Sequence, residues 1–211
     1  SVCTTLGVLV FGVLPGVLLA VALSLLWLLS LASRPDDAVL GKVKGLKGFH
    51  NVADYPEATT IPGLLLYRFE SNLVFFNADY FKSRIRDVIF AQKTPVEWVV
   101  IDASPINVVD VSALNQLDEL RSELADEGIQ VYYARVKRNL ERFFNPKYAK
   151  GRRKLSKKYR FQTLNPAIRA YLKYQKAKGA DVPDLDTIDP DIAIPVLAES
   201  DLSPAAGSVD K

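Results

Sequence analysis

The first 33 residues of the chain contain no charged side chain, and this uncharged run constrains the fold more than any other feature. Between Leu6 and Leu31 nearly every residue is Leu, Val, Ala, Gly or Phe. As a helix this stretch would be about 39 Å long, enough to cross the ~30 Å hydrocarbon core of a bilayer with some tilt. A secretory signal would instead have a basic start, a shorter apolar core and a small-residue cleavage site, and the sequence contains none of them. We therefore predict that residues 1–33 span a membrane.

Gly12, Pro15 and Gly16 interrupt the apolar run, and two interpretations follow. One is a single kinked helix, because membrane helices tolerate Pro and Gly better than soluble helices do. The other is a broken helix before Pro15 and a full helix after it, an arrangement that marks substrate sites in transporters. No polar or ionisable residue lies beside the break, which favours the single kinked helix.

Basic residues follow the apolar run and none precede it: Arg34, Lys42, Lys44 and Lys47. By the positive-inside rule, the part of the chain after the span is predicted to be cytoplasmic. The only cysteine, Cys3, has no partner for an internal disulfide, which fits a reducing compartment. The only histidine, His50, has no Cys or His near it in sequence, so we expect no metal site.

Residues 34–62 contain Gly, Asp and Pro with little periodicity, and we expect a linker there. From residue 63 onward, strand and helix patterns alternate. Short apolar runs predict strands at 64–69, 73–76, 98–102, 129–134 and 161–164, the first two as a pair. Apolar residues at helical spacing predict helices at 78–89, 112–127, 136–144 and 166–178. This order is typical of an α/β domain of about 115 residues.

The order of elements, with the stretches Val99–Ser104 and Val109–Leu114, resembles the STAS domain. This module is shared by anion transporters of the sulfate-permease (SulP) type and by bacterial anti-sigma-factor antagonists. The preceding stretches Gly16–Ala20, Ser33–Pro35 and Tyr55–Ala58 resemble the last transmembrane segment and linker of a SulP transporter. The resemblance covers about residues 5–178.

The resemblance implies a membrane-anchored α/β architecture with four parts. These are a transmembrane segment (1–33), a linker (34–62), a STAS domain with a mixed β-sheet flanked by helices (63–179), and a tail (180–211). It further implies a dimeric secondary active transporter of an inorganic anion such as sulfate or bicarbonate. Its STAS domain would be cytoplasmic, would lie under the plasma or inner membrane, and would be regulatory or structural.

The chain starts at Ser1 and contains no Met, from which we expect the carboxyl-terminal piece of a longer protein. In transporters of this kind the substrate site lies in half-helices near the bilayer midplane. Those half-helices would precede this chain, so we expect no substrate-binding residue in it. The alternative function, of a different class, is a membrane-tethered STAS signalling module controlled by phosphorylation at Ser112.

Ser112 matches the serine that a partner kinase phosphorylates in the antagonist branch of the family, two residues after an Asp, here Asp110. A phosphate at a helix N-terminus meets free backbone N–H groups and a partial positive charge. However, Asp and Ser are also the preferred N-cap residues, and we favour a purely capping role for Asp110 or Ser112. Ala113 stands where the antagonists have Gly. Ala at this position is common in the transporter branch.

Catalytic motifs are missing from the sequence. It contains no Gly-x-Ser-x-Gly motif, no Walker-type phosphate loop, and no His or Cys pair. The Gly-rich stretch Gly41–Gly45 has the wrong spacing for a phosphate loop. We expect neither an enzyme nor a cofactor.

The last third of the chain separates its charges. Residues 135–160 carry twelve Lys or Arg and one acid, Glu141, and residues 145–160 form a basic insertion. Five bases of the insertion are candidates for contact with anionic lipid or a regulatory protein: Arg152, Arg153, Lys154, Lys157 and Lys158. A plain solvated loop is the alternative, and nucleic acid is not an expected partner. The tail from Asp181 carries eight acids and one Lys, and we expect it to be disordered.

Overall fold

The computed structural model describes residues 12–141 and 159–180, and its first element is the apolar helix α1, Val13–Ser33. A helix of 21 residues is about 31 Å long, which matches the hydrocarbon core of a bilayer. Among the described residues it is the one helix long and apolar enough to cross a membrane. The outward-facing Leu and Val side chains of α1 agree with the predicted span.

Helix α1 begins later than the sequence predicts. Gly12 has a φ of 89°, a left-handed value outside the helical range, so the helix starts at Val13. Pro15 then lies in the first turn, where the missing N–H would have no partner within the helix. The favoured prediction of a single helix is therefore wrong at Gly12, because the helix does not continue through this residue. Residues 1–11 lie outside the described part of the chain.

A six-stranded mixed sheet follows α1, in the order β2-β1-β3-β4-β5-β6. The strands are β1 (Asp37–Gly41), β2 (His50–Asn51), β3 (Leu64–Phe69), β4 (Trp98–Asp102), β5 (Gln130–Ala134) and β6 (Arg160–Phe161). Strands β3 to β6 run parallel, whereas β1 runs antiparallel to both β2 and β3. Strand β4 is buried along its whole length, as expected of a central parallel strand covered on both faces.

Four further helices alternate with the parallel strands. They are α2 (Ala78–Phe90), α3 (Val111–Asp126), α4 (Arg138–Glu141) and α5 (Leu164–Ala177). Helices α2 and α3 bury their apolar sides in one core, which includes Phe81, Ile85, Leu120 and Leu124. Tyr171 of α5 packs edge-on against Trp98, with ring centroids 5.5 Å apart. The Tyr171 hydroxyl also donates a hydrogen bond to the carbonyl oxygen of Pro62 at 2.8 Å.

The structure corrects the predicted linker. Residues 37–41 are not linker but strand β1, and residues 50–51 are strand β2. Asp37 pairs with Phe69, and Val39 pairs with Tyr67. Because β1 is hydrogen-bonded to β3, the domain begins at Asp37 rather than at residue 63.

The predicted pair of strands at 64–69 and 73–76 is also wrong. The first is β3, but the second forms only an isolated bridge between Leu73 and Val109. The amide of Asn77 explains the turn, because its oxygen accepts from the N–H of Val74 at 2.9 Å and its nitrogen donates to the carbonyl oxygen of Asn72 at 2.9 Å. These bonds replace the ladder bonds that a strand would make.

The remaining predicted elements are present with shifted ends. Helix α3 ends before Gly128, whose φ of 82° suits a left-handed stop. Helix α5 begins at Leu164, two residues before the predicted Pro166. The predicted helix at 136–144 appears as the short α4, and residues 142–144 lie outside the described part. The basic insertion up to residue 158 and the tail from residue 181 also lie outside it.

Candidate functional site: the carboxyl edge of the sheet

The ends of four strands form one edge of the sheet, which we call the carboxyl edge. Arg68 of β3 pairs with Asp102 of β4, and Asp102 pairs with Ala134 of β5. Because β1 is antiparallel, its first residue, Asp37, lies at the same edge beside Phe69. The loops that follow β3, β4 and β5 therefore all leave the sheet on this side, where α/β domains usually place their functional groups.

Helix α1 ends at the carboxyl edge. Residues 34–36 separate Ser33 from Asp37, the first residue of β1. The backbone N–H of Glu70 donates to the carbonyl oxygen of Asp36 at 3.0 Å. The buried amide of Asn77 also donates to the carbonyl oxygen of Ala32, in the last turn of α1, at 3.5 Å. The loop after β3 thus holds the end of the apolar helix.

Asp110, and not Ser112, caps helix α3. One carboxylate oxygen of Asp110 accepts from the N–H of Ala113 at 2.8 Å, which is the standard N-cap bond. The other oxygen accepts from the N–H of Phe75 at 2.7 Å and ties the cap to the loop after β3. Ser112 is the second residue of the helix and is exposed. The sequence left both residues as candidates for the cap, and the structure decides for Asp110.

An ion pair that the sequence did not suggest joins the ends of β4 and β5. The Asp102 carboxylate is fully buried and accepts from Nε of Arg135 at 2.8 Å and from Nη2 of the same side chain. It also accepts from the N–H of Ser104 at 3.1 Å, a turn of the kind expected after a strand. Arg135 has a left-handed φ of 57°, the only positive φ of a non-glycine residue in the described ranges. Only the three-dimensional fold brings together residues 33 positions apart.

Asparagine side chains connect the loops at this edge. The side-chain oxygen of Asn72 accepts from the N–H groups of Asn107 and Val108, each at 3.0 Å. The ammonium of Lys137 in turn donates to the side-chain oxygen of Asn107. The three loops after β3, β4 and β5 are therefore one hydrogen-bonded unit.

Three exposed apolar side chains lie on this unit, and we call them the edge patch. They are Phe75, 66% exposed, Val108, 49% exposed, and Val111, 57% exposed. The N–H of Leu73 donates to the carbonyl oxygen of Val108 at 3.0 Å, and Phe75 is bonded to Asp110 as described above. In the described residues outside α1, only Leu46 and Phe90 are comparable exposed large apolar residues.

Charged side chains join α2 to α3 away from the edge patch. Lys82 contacts Glu119 at 3.2 Å and Glu123 at 2.8 Å, and Arg86 contacts Glu123 and, at 3.4 Å, Glu127. The hydrogen bonds from Lys82 and Arg86 lower the pKa of the Glu123 carboxyl below its ordinary value. The hydrogen bond to Glu123 likewise raises the pKa of Lys82. These groups are partners of one another and bear on stability rather than on ligand binding.

A second ion pair anchors β1 to α2. Arg84 donates to Asp37 through Nε at 3.0 Å and Nη2 at 3.1 Å, a two-pronged arrangement. Burial, followed by the nearby Asp37 carboxylate, raises the pKa of the Tyr67 hydroxyl above its ordinary value. Tyr67 therefore stays neutral at physiological pH, and this cluster has a structural role.

The other predicted site residues are not placed by the structure. The five bases proposed for lipid or partner contact lie outside the described residues: Arg152, Arg153, Lys154, Lys157 and Lys158. Within residues 12–141 and 159–180, no group of three or more His, Cys, Asp or Glu is arranged to hold a metal ion.

Comparison with known proteins agrees with this geometry. Residues 55–146 match the family model of the STAS domain. A probable sulfate transporter of Mycobacterium tuberculosis is 42% identical over 171 residues, which are 81% of this chain and 30% of that protein. Sulfate transporter 1.3 of Arabidopsis thaliana is 34% identical over 136 residues, 61% of this chain and 21% of that protein. The chain thus spans less than a third of the length of these curated relatives.

Two solved structures share the fold. The overall structure of SLC26A9 superposes with a TM-score of 0.65 at 18% identity, covering 84% of this chain and 30% of that chain. The murine Slc26a9 anion transporter in the inward-facing state superposes with a TM-score of 0.59 at 22% identity, covering 67% of this chain and 23% of that chain. The match to the STAS family model places a STAS domain in this chain, and an apolar helix joined directly to that sheet, with curated sulfate transporters as relatives, fits a SulP protein that bears a STAS domain.

Proposed function

We propose that the chain works as the carboxyl-terminal part of a secondary active transporter of inorganic anions, of the sulfate or bicarbonate type. Its STAS domain lies on the cytoplasmic side, has a regulatory or structural role, and belongs to a homodimer. The relatives named as sulfate transporters support the transport class. The basic residues that follow α1, starting with Arg34, support the cytoplasmic side.

One observation carries this proposal: α1 passes into the STAS sheet through residues 34–36 alone. An exposed apolar helix of 21 residues cannot be stable in water, because each exposed Leu or Val leaves apolar surface unburied. Placed in a bilayer, the same helix holds the STAS domain directly at the membrane surface. That arrangement suits a domain acting on a transporter in the same membrane.

Uptake of radiolabelled sulfate tests the transport proposal. The full open reading frame containing this chain is expressed in cells that lack sulfate uptake, next to a version that lacks residues 37–180. We expect uptake above the vector control that unlabelled sulfate suppresses, and a loss of uptake or of surface delivery in the deletion. Suppression by bicarbonate as well would widen the substrate class. If protein that reaches the membrane takes up neither labelled sulfate nor, in a parallel assay, labelled bicarbonate, the transport proposal is wrong.

The position of Ser112 supports a second candidate, a membrane-tethered STAS module switched by phosphorylation. Because Asp110 provides the cap, the Ser112 hydroxyl is not needed for it, and this hydroxyl is exposed in the first turn of α3. A phosphate there would meet the free N–H groups of the helix start and would add about two negative charges beside the edge patch.

Phosphate incorporation from a cell extract tests this second candidate. Ser112→Ala is compared with Ser122→Ala, which removes an exposed hydroxyl from the body of the same helix. We expect incorporation to be lost in the first variant and kept in the second. Incorporation that survives Ser112→Ala would exclude this switch. No incorporation into the unmodified protein would leave Ser112 as an ordinary helix residue.

A further inference from the structure

We propose that the edge patch is a membrane-docking surface, in which Phe75, Val108 and Val111 insert into the headgroup region of the bilayer that α1 crosses. The inference rests on the proposed function only in taking α1 as a membrane span. It adds a contact surface, its orientation and its partner, which is a lipid surface.

The first step is that α1 leaves the domain on the same side as the edge patch. Asn77 donates to the carbonyl oxygen of Ala32, one residue before the end of α1 at Ser33. Phe75 precedes Asn77 by two residues, so its backbone lies at most about 7 Å from that of Asn77. The most exposed aromatic side chain of this loop is therefore close to the level where the apolar helix ends.

The second step is that the three apolar side chains cannot move independently of that loop. The Asp110 carboxylate accepts hydrogen bonds from the N–H of Phe75 and from the N–H of Ala113 at the start of α3. The N–H of Leu73 donates to the carbonyl oxygen of Val108. Val111 is the first residue of α3. One rigid, hydrogen-bonded surface thus presents an aromatic ring and two branched side chains beside the end of a membrane span.

The third step concerns charge, which gives no preferred sign at this edge. Arg34 and Arg138 are exposed, but so are Asp36 and Glu70. The third exposed arginine at this edge, Arg135, is paired with the Asp102 carboxylate. The described charges therefore neither require an anionic lipid nor repel one. Transfer of apolar side chains out of water is what favours docking, as it does for interfacial segments with Phe and Leu on one face.

Fluorescence quenching by nitroxide lipids tests the proposal on the full chain. Single cysteines are introduced by Phe75→Cys, Val108→Cys and Val111→Cys after the native Cys3 has been changed to Ser, and each carries an environment-sensitive label. The chain is reconstituted in vesicles of phosphatidylcholine alone and in an equal mixture with phosphatidylglycerol. The quenching lipids carry the nitroxide either at headgroup depth or deep in the acyl chain.

Two reference positions separate the possible outcomes. Leu23→Cys lies in the middle of α1 and reports whether the helix crosses the bilayer. Phe90→Cys replaces a phenylalanine that is 93% exposed at the far end of α2. Helix α2 starts beside Asn77, so Phe90 lies about 18 Å along the helix from the carboxyl edge. The bilayer should therefore reach the edge patch and not Phe90.

We expect headgroup-depth nitroxide to reduce the fluorescence of all three edge labels in both kinds of vesicle and to leave the Phe90 label unchanged. The Leu23 label should be reduced by the deep nitroxide. If the fluorescence of the Leu23 label is reduced and that of the edge labels is not, the docking proposal alone is overturned. The same result is expected if another protein surface covers the patch. Equal loss at Phe90 and at the edge would overturn the proposed orientation. No loss at Leu23 would overturn both docking and the membrane span that the proposed function needs.

Discussion

Asp102 and Arg135 are paired at the ends of two neighbouring parallel strands, with the Asp102 side chain fully buried and that of Arg135 39% exposed. The pair holds the β4 and β5 ends together, and the N–H of Arg135 extends the connection to the carbonyl oxygen of Phe161 in β6 at 3.1 Å. A carboxylate buried in this way depends on its partner, because little water remains to stabilise its charge.

Replacing Arg135 by Ala should destabilise the protein by about 3 kcal/mol, the lower end for a broken buried pair, since Arg135 is partly exposed. Arg138→Ala, which removes an exposed arginine three residues later, is the matched control and should change stability by about 0.5 kcal/mol or less. Amide hydrogen exchange of β4 in the reconstituted protein measures the difference. Equal exchange rates in the two variants would contradict a stabilising role for the pair.

Asp110→Ala should cost about 1–2 kcal/mol of stability, because it removes the α3 cap and the bond to the Phe75 N–H. Ser112→Ala should leave stability within about 0.5 kcal/mol of the unmodified protein, since the Ser112 side chain is exposed. Thermal unfolding followed by circular dichroism compares them. The assignment of the cap to Asp110 would be wrong if the two variants were equally stable.

Gly63→Ala should be strongly destabilising for two reasons that can be separated. Gly63 has a φ of 76°, and a Cβ there would clash with the hydroxyl oxygen of Tyr171. Gly128→Ala has a similar φ of 82° but meets no atom within 4 Å, so it should cost only the backbone term of about 1–2 kcal/mol.

The double variant Gly63→Ala with Tyr171→Phe tests whether the clash accounts for more of the lost stability than the backbone strain does. It removes the oxygen that the new Cβ would meet and should recover part of the stability lost in Gly63→Ala. Thermal unfolding is again the measurement. No recovery, together with equal effects at Gly63 and Gly128, would show that backbone strain alone accounts for the loss.

Acid should weaken the contact between α2 and α3. The pKa of Glu123 is lower in the folded protein than its ordinary value of 4.5, because Lys82 and Arg86 donate hydrogen bonds to it. Its contribution to stability is therefore fully present above that ordinary value and is lost as the pH falls through the lower, folded-state pKa. Glu123→Gln should flatten the dependence of stability on pH below about pH 4.5.

Asp126→Asn, which removes an exposed carboxylate of the same helix, is the control for this pH experiment. Below about pH 4.5, the stability of Asp126→Asn should fall more steeply with decreasing pH than that of Glu123→Gln. Unfolding midpoints collected from neutral to acidic pH provide the comparison. Superimposable curves for the two variants would contradict the assigned role of Glu123.

The parts of the fold that the sequence predicts well are those in which pattern and environment agree. Strand β4 is a continuous apolar run because both its faces are covered, and α3 has leucines at helical spacing and a glycine stop. The sequence does not predict strand β1, because its five residues lie in a stretch rich in Gly, Asp and Pro and its consecutive apolar residues Ala38, Val39 and Leu40 show no polar–apolar alternation. Its strand character comes from pairing with β3, which local sequence does not encode.

The candidate site was predicted only where its chemistry is local. The capping residue Asp110 was one of two candidates, because N-cap preference is a property of a few neighbouring residues. The Asp102–Arg135 pair and the edge patch join residues from separate loops, and no spacing rule links them. An unusual feature visible in the sequence, Arg135 directly after an apolar strand, has meaning only once β4 is known to lie beside β5.

The short connection between α1 and β1 leaves the helix little freedom to move relative to the sheet. Residues 34–36 can extend over about 11 Å at most. The ring of Pro35 fixes its backbone angle φ. The carbonyl oxygen of Asp36 already accepts a hydrogen bond from the N–H of Glu70. A tilt or vertical shift of the helix must therefore turn the whole sheet with it or break that bond. If α1 spans a membrane, as proposed above, a movement of the helix would therefore reach the sheet through three residues, and a force on the sheet would reach the helix by the same route.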